Sequence, residues 1–267
     1  MNSKRDRMVQ LISDVHLDVR GHTKTMEPHA STLAVAGDVS SHTDVRYRDY
    51  MAELFRNHRY GVYVPGNHEF WGSEYPTSQS LDFMEGICRF LPTPVTMLRR
   101  GNYGFDVPGT NTRILGATLW TPVPLEISNT AGQILNDYKY IKNGPGNPMT
   151  VKDVISWHDS DKRWISEAIN RANSDGKRSV VMTHHAPDVL LSAFNDRKAT
   201  NSMGVFYYSN DMSSITHMHG ISAWLYGHTH ESRVFKIRGI KYPFVTNALG
   251  YPDENTGYAE GACIEIP

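Results

Sequence analysis

Five short apolar runs in this 267-residue chain each end in residues that can bind a cation, and that repetition constrains the fold more than any other feature. "MVQLIS" (8–13) runs into Asp14 and His16, "STLAVAG" (31–37) into Asp38, and "YGVYVPG" (60–66) into Asn67 and His68. Further along, "RSVVMTH" (178–184) delivers His184 and His185, and "ISAWLYG" (221–227) delivers His228 and His230. Runs of this length, closed by glycine or turn residues, read as buried strands. In α/β sheets the carboxyl ends of strands are where ligand sites collect.

Between these runs the pattern changes period. "TDVRYRDYMAELFRNHR" (43–59) and "SLDFMEGICRFL" (80–91), the latter stopped by Pro92 and Pro94, read as helices, and "DSDKRWISEAINRA" (159–172) places Trp164, Ile165, Ala168, Ile169 and Ala172 on one face, with Ser160 or Asp161 as its cap. "PVTMLRR", "YGFDV" and "TRILGATLW", between 94 and 120, read as short strands in antiparallel pairing, and "RVFKIRGIKYPFVTNALG" (233–250) as a hairpin around Arg238-Gly239. Residues 121–150, with "NGPGNP", read as a long loop. These elements predict a layered α/β fold in one domain spanning residues 1–267.

Composition narrows the function. Lys+Arg 27 against Asp+Glu 28 leaves a net charge of 27 − 28 = −1, which argues against a membrane-surface or long nucleic-acid binder. Two distant cysteines, Cys88 and Cys263, predict free thiols in a reducing compartment and no thiolate zinc site. Asp14 interrupts the apolar stretch behind the basic N-terminus, which argues against a signal peptide, and no segment reaches the ~18 apolar residues of a membrane span. Together these predict a cytoplasmic protein.

The residues at the strand ends define the chemistry. Taken singly, each is ordinary: an Asp after a turn, a helix cap, an Asn in a left-handed turn. Taken together, Asp14, His16, Asp38, Asn67, His184, His228 and His230 are too many for one catalytic metal and suit two metals sharing a carboxylate, with Asp38 the natural bridge. Imidazole, carboxylate and amide oxygen without thiolate fit Mn best, with Fe, Zn or Ni as alternatives. Two divalent ions less the charges of Asp14 and Asp38 leave about +2, so such a site attracts an anion. His217 and His219, in "THMHG", precede a strand and read as structural, while Trp120, Asp137, Tyr138 and Tyr140 read as packing or loop anchors.

"DVH", "GD", "GNHE", "THHAP" and "GHTH", in this order over residues 14–230, resemble the signature of the calcineurin-like metallophosphoesterases. "LGATLW" (115–120) and "LNDYKYI" (135–141) are similar to stretches in the small bacterial and phage branch of that family. The resemblance implies an αββα sandwich: two mixed sheets flanked by helices, with a dimetal site at the strand ends. It implies one metal on Asp14, His16, Asp38 and His230, and a second on Asp38, Asn67, His184 and His228, roughly 3.5–4 Å away, so that one hydroxide bridges them and attacks phosphorus. His68 is then left to steady the phosphoryl oxygens or protonate the leaving oxygen.

The implied activity is hydrolysis of a phosphoester in a small phosphorylated substrate, such as a nucleotide or cyclic nucleotide. Protein phosphatases similar to this family carry an arginine in G-D-x-x-D-R-G, whereas "GDVSSHTD" (37–44) has neither that aspartate nor that arginine, with Arg46 and Arg48 lying further along. A guanidinium matters most for a dianionic monoester, so a diester is the expected substrate. The alternatives are a phosphomonoesterase or protein phosphatase, a nuclease, and a metal-binding scaffold of the same fold without catalysis.

Overall fold

The computed structural model describes residues 4–22, 24–191 and 210–267. Its strands are β1 (Met8–Ile12), β2 (Thr32–Val35), β3 (Tyr60–Tyr63), β4 (Val95–Met97), β5 (Phe105–Asp106), β6 (Thr112–Ala117), β7 (Arg178–Thr183), β8 (Ile221–Tyr226), β9 (Ser232–Phe235), β10 (Phe244–Asn247) and β11 (Cys263–Glu265). The helices that matter for the site are α1 (Leu17–Arg20), α2 (Tyr47–Phe55), α3 (Thr77–Arg89), α4 (Ser128–Ile134), α5 (Asp137–Tyr140) and α6 (Val151–Ser174).

The strands form two sheets, in the orders β11-β1-β2-β3-β4 and β5-β6-β7-β8-β10-β9. β1 to β4 run parallel, as do β6, β7, β8 and β10, and the antiparallel β11, β5 and β9 lie at sheet edges. Parallel strands are covered on both faces, which is why the five motif-bearing runs are continuously apolar instead of alternating. The inner faces meet through Leu11, Ala34 and Val62 on one side and Val180, Met182 and Leu225 on the other. Tyr50, Leu54, Phe55 and Met84 of α2 and α3 pack on the outer side of the first sheet, and Trp164, Ile165 and Ile169 of α6 on that of the second. The result is the expected helix–sheet–sheet–helix stack.

Three expectations need correction. In the 94–120 region only β5 and β6 pair antiparallel; β4 lies parallel to β3 and β6 parallel to β7. Turn residues mark where a strand stops, and the neighbour it then finds depends on packing across the sheet. The long helix starts at Val151, where Thr150 Oγ1 accepts from Asp153 N and Asp153 Oδ2 accepts from Thr150 N, a capping box that outcompetes Ser160 and Asp161. The 121–150 stretch carries α4, α5 and a 3-10 turn at Leu125–Ile127, all too short to show a helical period. The β9–β10 hairpin is present, pairing Phe244 with Phe235 and with Gly239 at φ 90° between them. Among the described residues no helix is long and apolar enough to cross a membrane.

Candidate metal centre

The carboxyl ends of β1, β2 and β3 in one sheet and of β7 and β8 in the other open onto a single point, where a chain leaving a strand must turn at once. Among the described residues six non-glycine residues have positive φ, and five of them are expected ligands: Asp14 (52°), His16 (47°), Asp38 (55°), His228 (67°) and His230 (51°). A left-handed backbone costs a residue with a Cβ roughly 1–2 kcal/mol, and such strain gathers at functional sites. The motif glycines answer to close approach: a Cβ on Gly37 would stand 2.3 Å from His184 Nδ1, and one on Gly66 2.1 Å from Asp38 Oδ1.

All seven expected ligands come together. Asp14, His16 and His230 offer one group of donor atoms within 4.8 Å of one another, and Asp38, His184 and His228 offer a second. In the first, His16 Nε2 lies 3.1 Å from His230 Nε2, and His230 Nε2 lies 3.7 Å from Asp14 Oδ1. In the second, His184 Nε2 lies 3.2 Å from His228 Nδ1 and 3.0 Å from Asn67 Oδ1. Asp38 stands between the groups, with Oδ2 3.9 Å from His16 Nε2 and Oδ1 3.4 Å from His184 Nε2. His68 also comes within reach: one donor atom each from His16, Asp38 and His68 lie within 4.8 Å of one another, and the His68 backbone N–H donates to Asp38 Oδ1 at 2.9 Å. His185 packs its ring against His228, with centroids 4.1 Å apart, and points Nδ1 at the carbonyl of Thr118, while His217 bonds the carbonyl of Ser213, outside the cluster.

This donor set fits cations. His184 Nδ1 is spent on the carbonyl of Ala36 at 2.8 Å, so in the neutral ring its Nε2 lone pair faces an amide oxygen and another imidazole nitrogen, a gathering of donor atoms that a cation would reconcile. The electrostatics agree. Burial opposes charge on His184, yet the Asp38 and Asp14 carboxylates outweigh it and raise its pKa to about 10, a proton thereby answering the buried negative charge. Burial pushes His16 and His228 well below the ordinary histidine range, which keeps their lone pairs free for coordination. Burial works against Asp38 as well, but His184 and His68 beside it hold its carboxyl well below the ordinary range.

Four contributors escaped the sequence reading. Glu69 Oε2 accepts from Asp38 N at 3.0 Å and Gly66 N at 2.7 Å while Oε1 accepts from Val39 N at 2.7 Å, tying the β2 and β3 turns together. Glu254 Oε2 meets His230 Nδ1 at 2.5 Å, orienting that ring as carboxylates orient histidine ligands. The Tyr251 hydroxyl lies 3.3 Å from His68 Nε2, and its ring stacks on His16 with centroids 4.3 Å apart. Asp137 accepts from Asn67 Nδ2. Glu69 sits inside "GNHE" and Asp137 inside "LNDYKYI", where it reads as a packing or loop anchor, but Tyr251 and Glu254 lie outside every motif and carry no local signal.

The chain belongs to the calcineurin-like phosphoesterases, whose family model matches residues 9–232. That membership makes it a hydrolase of the phosphoester class, in a family that depends on two metals. It is 30% identical over 245 residues to the uncharacterized protein L509 of Acanthamoeba polyphaga mimivirus, a match covering 88% of this chain and 83% of the viral one. Two solved structures share the fold. The phosphopantetheinyl hydrolase PptH from Mycobacterium tuberculosis superposes with a TM-score of 0.66 at 19% identity, covering 94% of this chain and 92% of that one. A dimetal phosphatase from Danio rerio gives 0.51 at 13% identity over 94% and 89%.

Proposed function

We propose that this chain is a two-metal phosphodiesterase acting on a small substrate, such as a nucleotide or cyclic nucleotide, in the cytoplasm, and that residues 1–267 act as one domain. The observation that carries this reading is the placement of Asp38 between two groups of donors, each drawn from both sheets. Asp14, His16, Asp38 and His230 would hold one ion and Asp38, Asn67, His184 and His228 the other, with Mn the ion best matched to imidazole and carboxylate donors. Bound there, such ions supply Lewis-acid charge for the phosphoryl group and lower the pKa of water beside it.

The protein's own residues do the rest. His68, backed by the Trp71 ring at 3.7 Å between centroids and facing the Tyr251 hydroxyl, is placed to give a proton to the leaving oxygen or steady the phosphoryl oxygens. The preference for diesters rests on the arginines. Arg46 is committed to Asp44 at 2.8 Å and to the carbonyl of Gly21, and Arg48 lines a separate surface groove beside His42 and Phe83. Neither guanidinium grips the phosphate in this reading, so a singly charged diester is the better match for what remains. Under one metal condition, kcat/KM for bis-p-nitrophenyl phosphate should exceed that for p-nitrophenyl phosphate. A clear preference for the monoester would refute the diester assignment.

A further inference from the structure

Asp137 opens α5, a single helical turn inside the Pro/Gly-rich stretch, and only 3% of its surface is exposed. One of its oxygens, Oδ1, accepts two hydrogen bonds, from Asn67 Nδ2 at 2.9 Å and from Trp71 Nε1 at 2.8 Å. The two donors belong to different parts of the centre. Asn67 Oδ1 lies 3.0 Å from His184 Nε2, among the donors of the second group. The Trp71 indole is stacked on His68, with centroids 3.7 Å apart and the planes 25° from parallel. The same turn grips this segment twice more, since Gly72 N donates to the Tyr140 carbonyl at 3.0 Å and the Trp71 and Tyr140 rings lie 5.0 Å apart.

A primary amide has a donor end and an acceptor end, and nothing in its own shape decides which way it points. A carboxylate decides it, because an ionised carboxylate only accepts. With Nδ2 held on Asp137, the Asn67 oxygen must face the metal side; reversed, the amide would turn its hydrogens toward the cation and leave two oxygens opposed. We infer that Asp137 is a positioning residue that sets, from one oxygen atom, both the metal-facing orientation of Asn67 and the plane of the His68 ring. The inference rests on the two-metal reading above.

The test is calorimetric titration of the full chain with Mn²⁺, paired with steady-state kinetics. Asp137→Asn keeps the shape and removes the charge, and should weaken one of two Mn²⁺ sites by about 10–100-fold, the range for lost outer-shell partners, while sparing the other. In an Asn67→Ala background the same substitution should weaken Mn²⁺ binding no further, because its effect passes through that amide. Trp71→Phe keeps a ring against His68 but loses the Nε1 donor, so kcat should fall with both Mn²⁺ affinities unchanged; this variant also tests the second arm if Asp137→Asn does not fold. Equal weakening of both sites, additivity with Asn67→Ala, or unchanged affinity would overturn the Asn67 arm, and an unchanged kcat in Trp71→Phe the His68 arm. Wild-type protein that takes up no Mn²⁺ would overturn the two-metal reading and this inference with it, whereas two bound ions with no response to Asp137→Asn would overturn the inference alone.

Discussion

Asp38 and His68 are neighbours in space to which the proposed function gives different duties, and their variants should separate cleanly. Asp38 faces both donor groups, so Asp38→Ala should strip both ions, whereas His16→Ala should strip one at most; elemental analysis after Mn reconstitution reads the difference, and equal losses would argue against a shared carboxylate. His68→Ala should keep both ions and lose about 10²-fold or more in kcat, the scale of a lost proton donor or oxyanion contact. A parallel loss of metal would instead make His68 a ligand, which its reach toward His16 and Asp38 allows. Residue by residue, the centre was legible where a strand fixes the direction of its next side chain. All seven expected ligands are of that kind, sitting within a few residues of an apolar run. Tyr251 and Glu254 reach the centre through loops whose paths depend on tertiary packing that no short window encodes, and Asp137, visible in "LNDYKYI", reads as an anchor because the window does not show what its one-turn helix packs against.

At the level of elements, the contact between α6 and the exit of β6 deserves a measurement of its own. Leu119 is the sixth non-glycine residue with positive φ, at 56°, and its N–H donates to Asp161 Oδ2 at 3.0 Å. Asp161 Oδ1 pairs with Arg100 Nε at 3.1 Å. Burial raises the Asp161 pKa to about 6, against the opposing pull of Arg100 and the Leu119 N–H. Folded protein thus holds this proton in a window, between about 4 and about 6, where the unfolded chain has released it. The associated stability is present below about pH 4 and is lost as pH rises through about 6. Thermal unfolding of wild type and Asp161→Asn should accordingly show the wild type losing ground to the variant from pH 4 to pH 7; a difference independent of pH would refute the assignment. The strands were legible because full burial makes them apolar end to end, and the hairpin because its turn contains Gly239. The start of α6 was missed because Val151 to His158 mixes polar residues into the buried stripe, so the period shows only once Trp164 and Ile165 arrive.

For the molecule as a whole, each donor group draws on both sheets: Asp14 and His16 with His230, and Asp38 and Asn67 with His184 and His228. Ions bound there bind the native arrangement and not the unfolded chain, so Mn²⁺ at ~100 times its Kd should add about 2.7 kcal/mol and raise Tm on the order of 5–10 °C. Chelator should reverse the shift, and a Tm indifferent to both would separate the fold from the centre. The left-handed residues carry the matter further. In the proposed ligand set, five positions carry a coordinating side chain on a main chain that suits glycine, so a lineage selected for heat tolerance alone would drift to glycine at 14, 16, 38, 228 and 230 and become a sturdier, inert protein. In the proposed reading, the carboxylates and imidazoles at these turns are what the molecule gains for its chemistry at the expense of its backbone's preference.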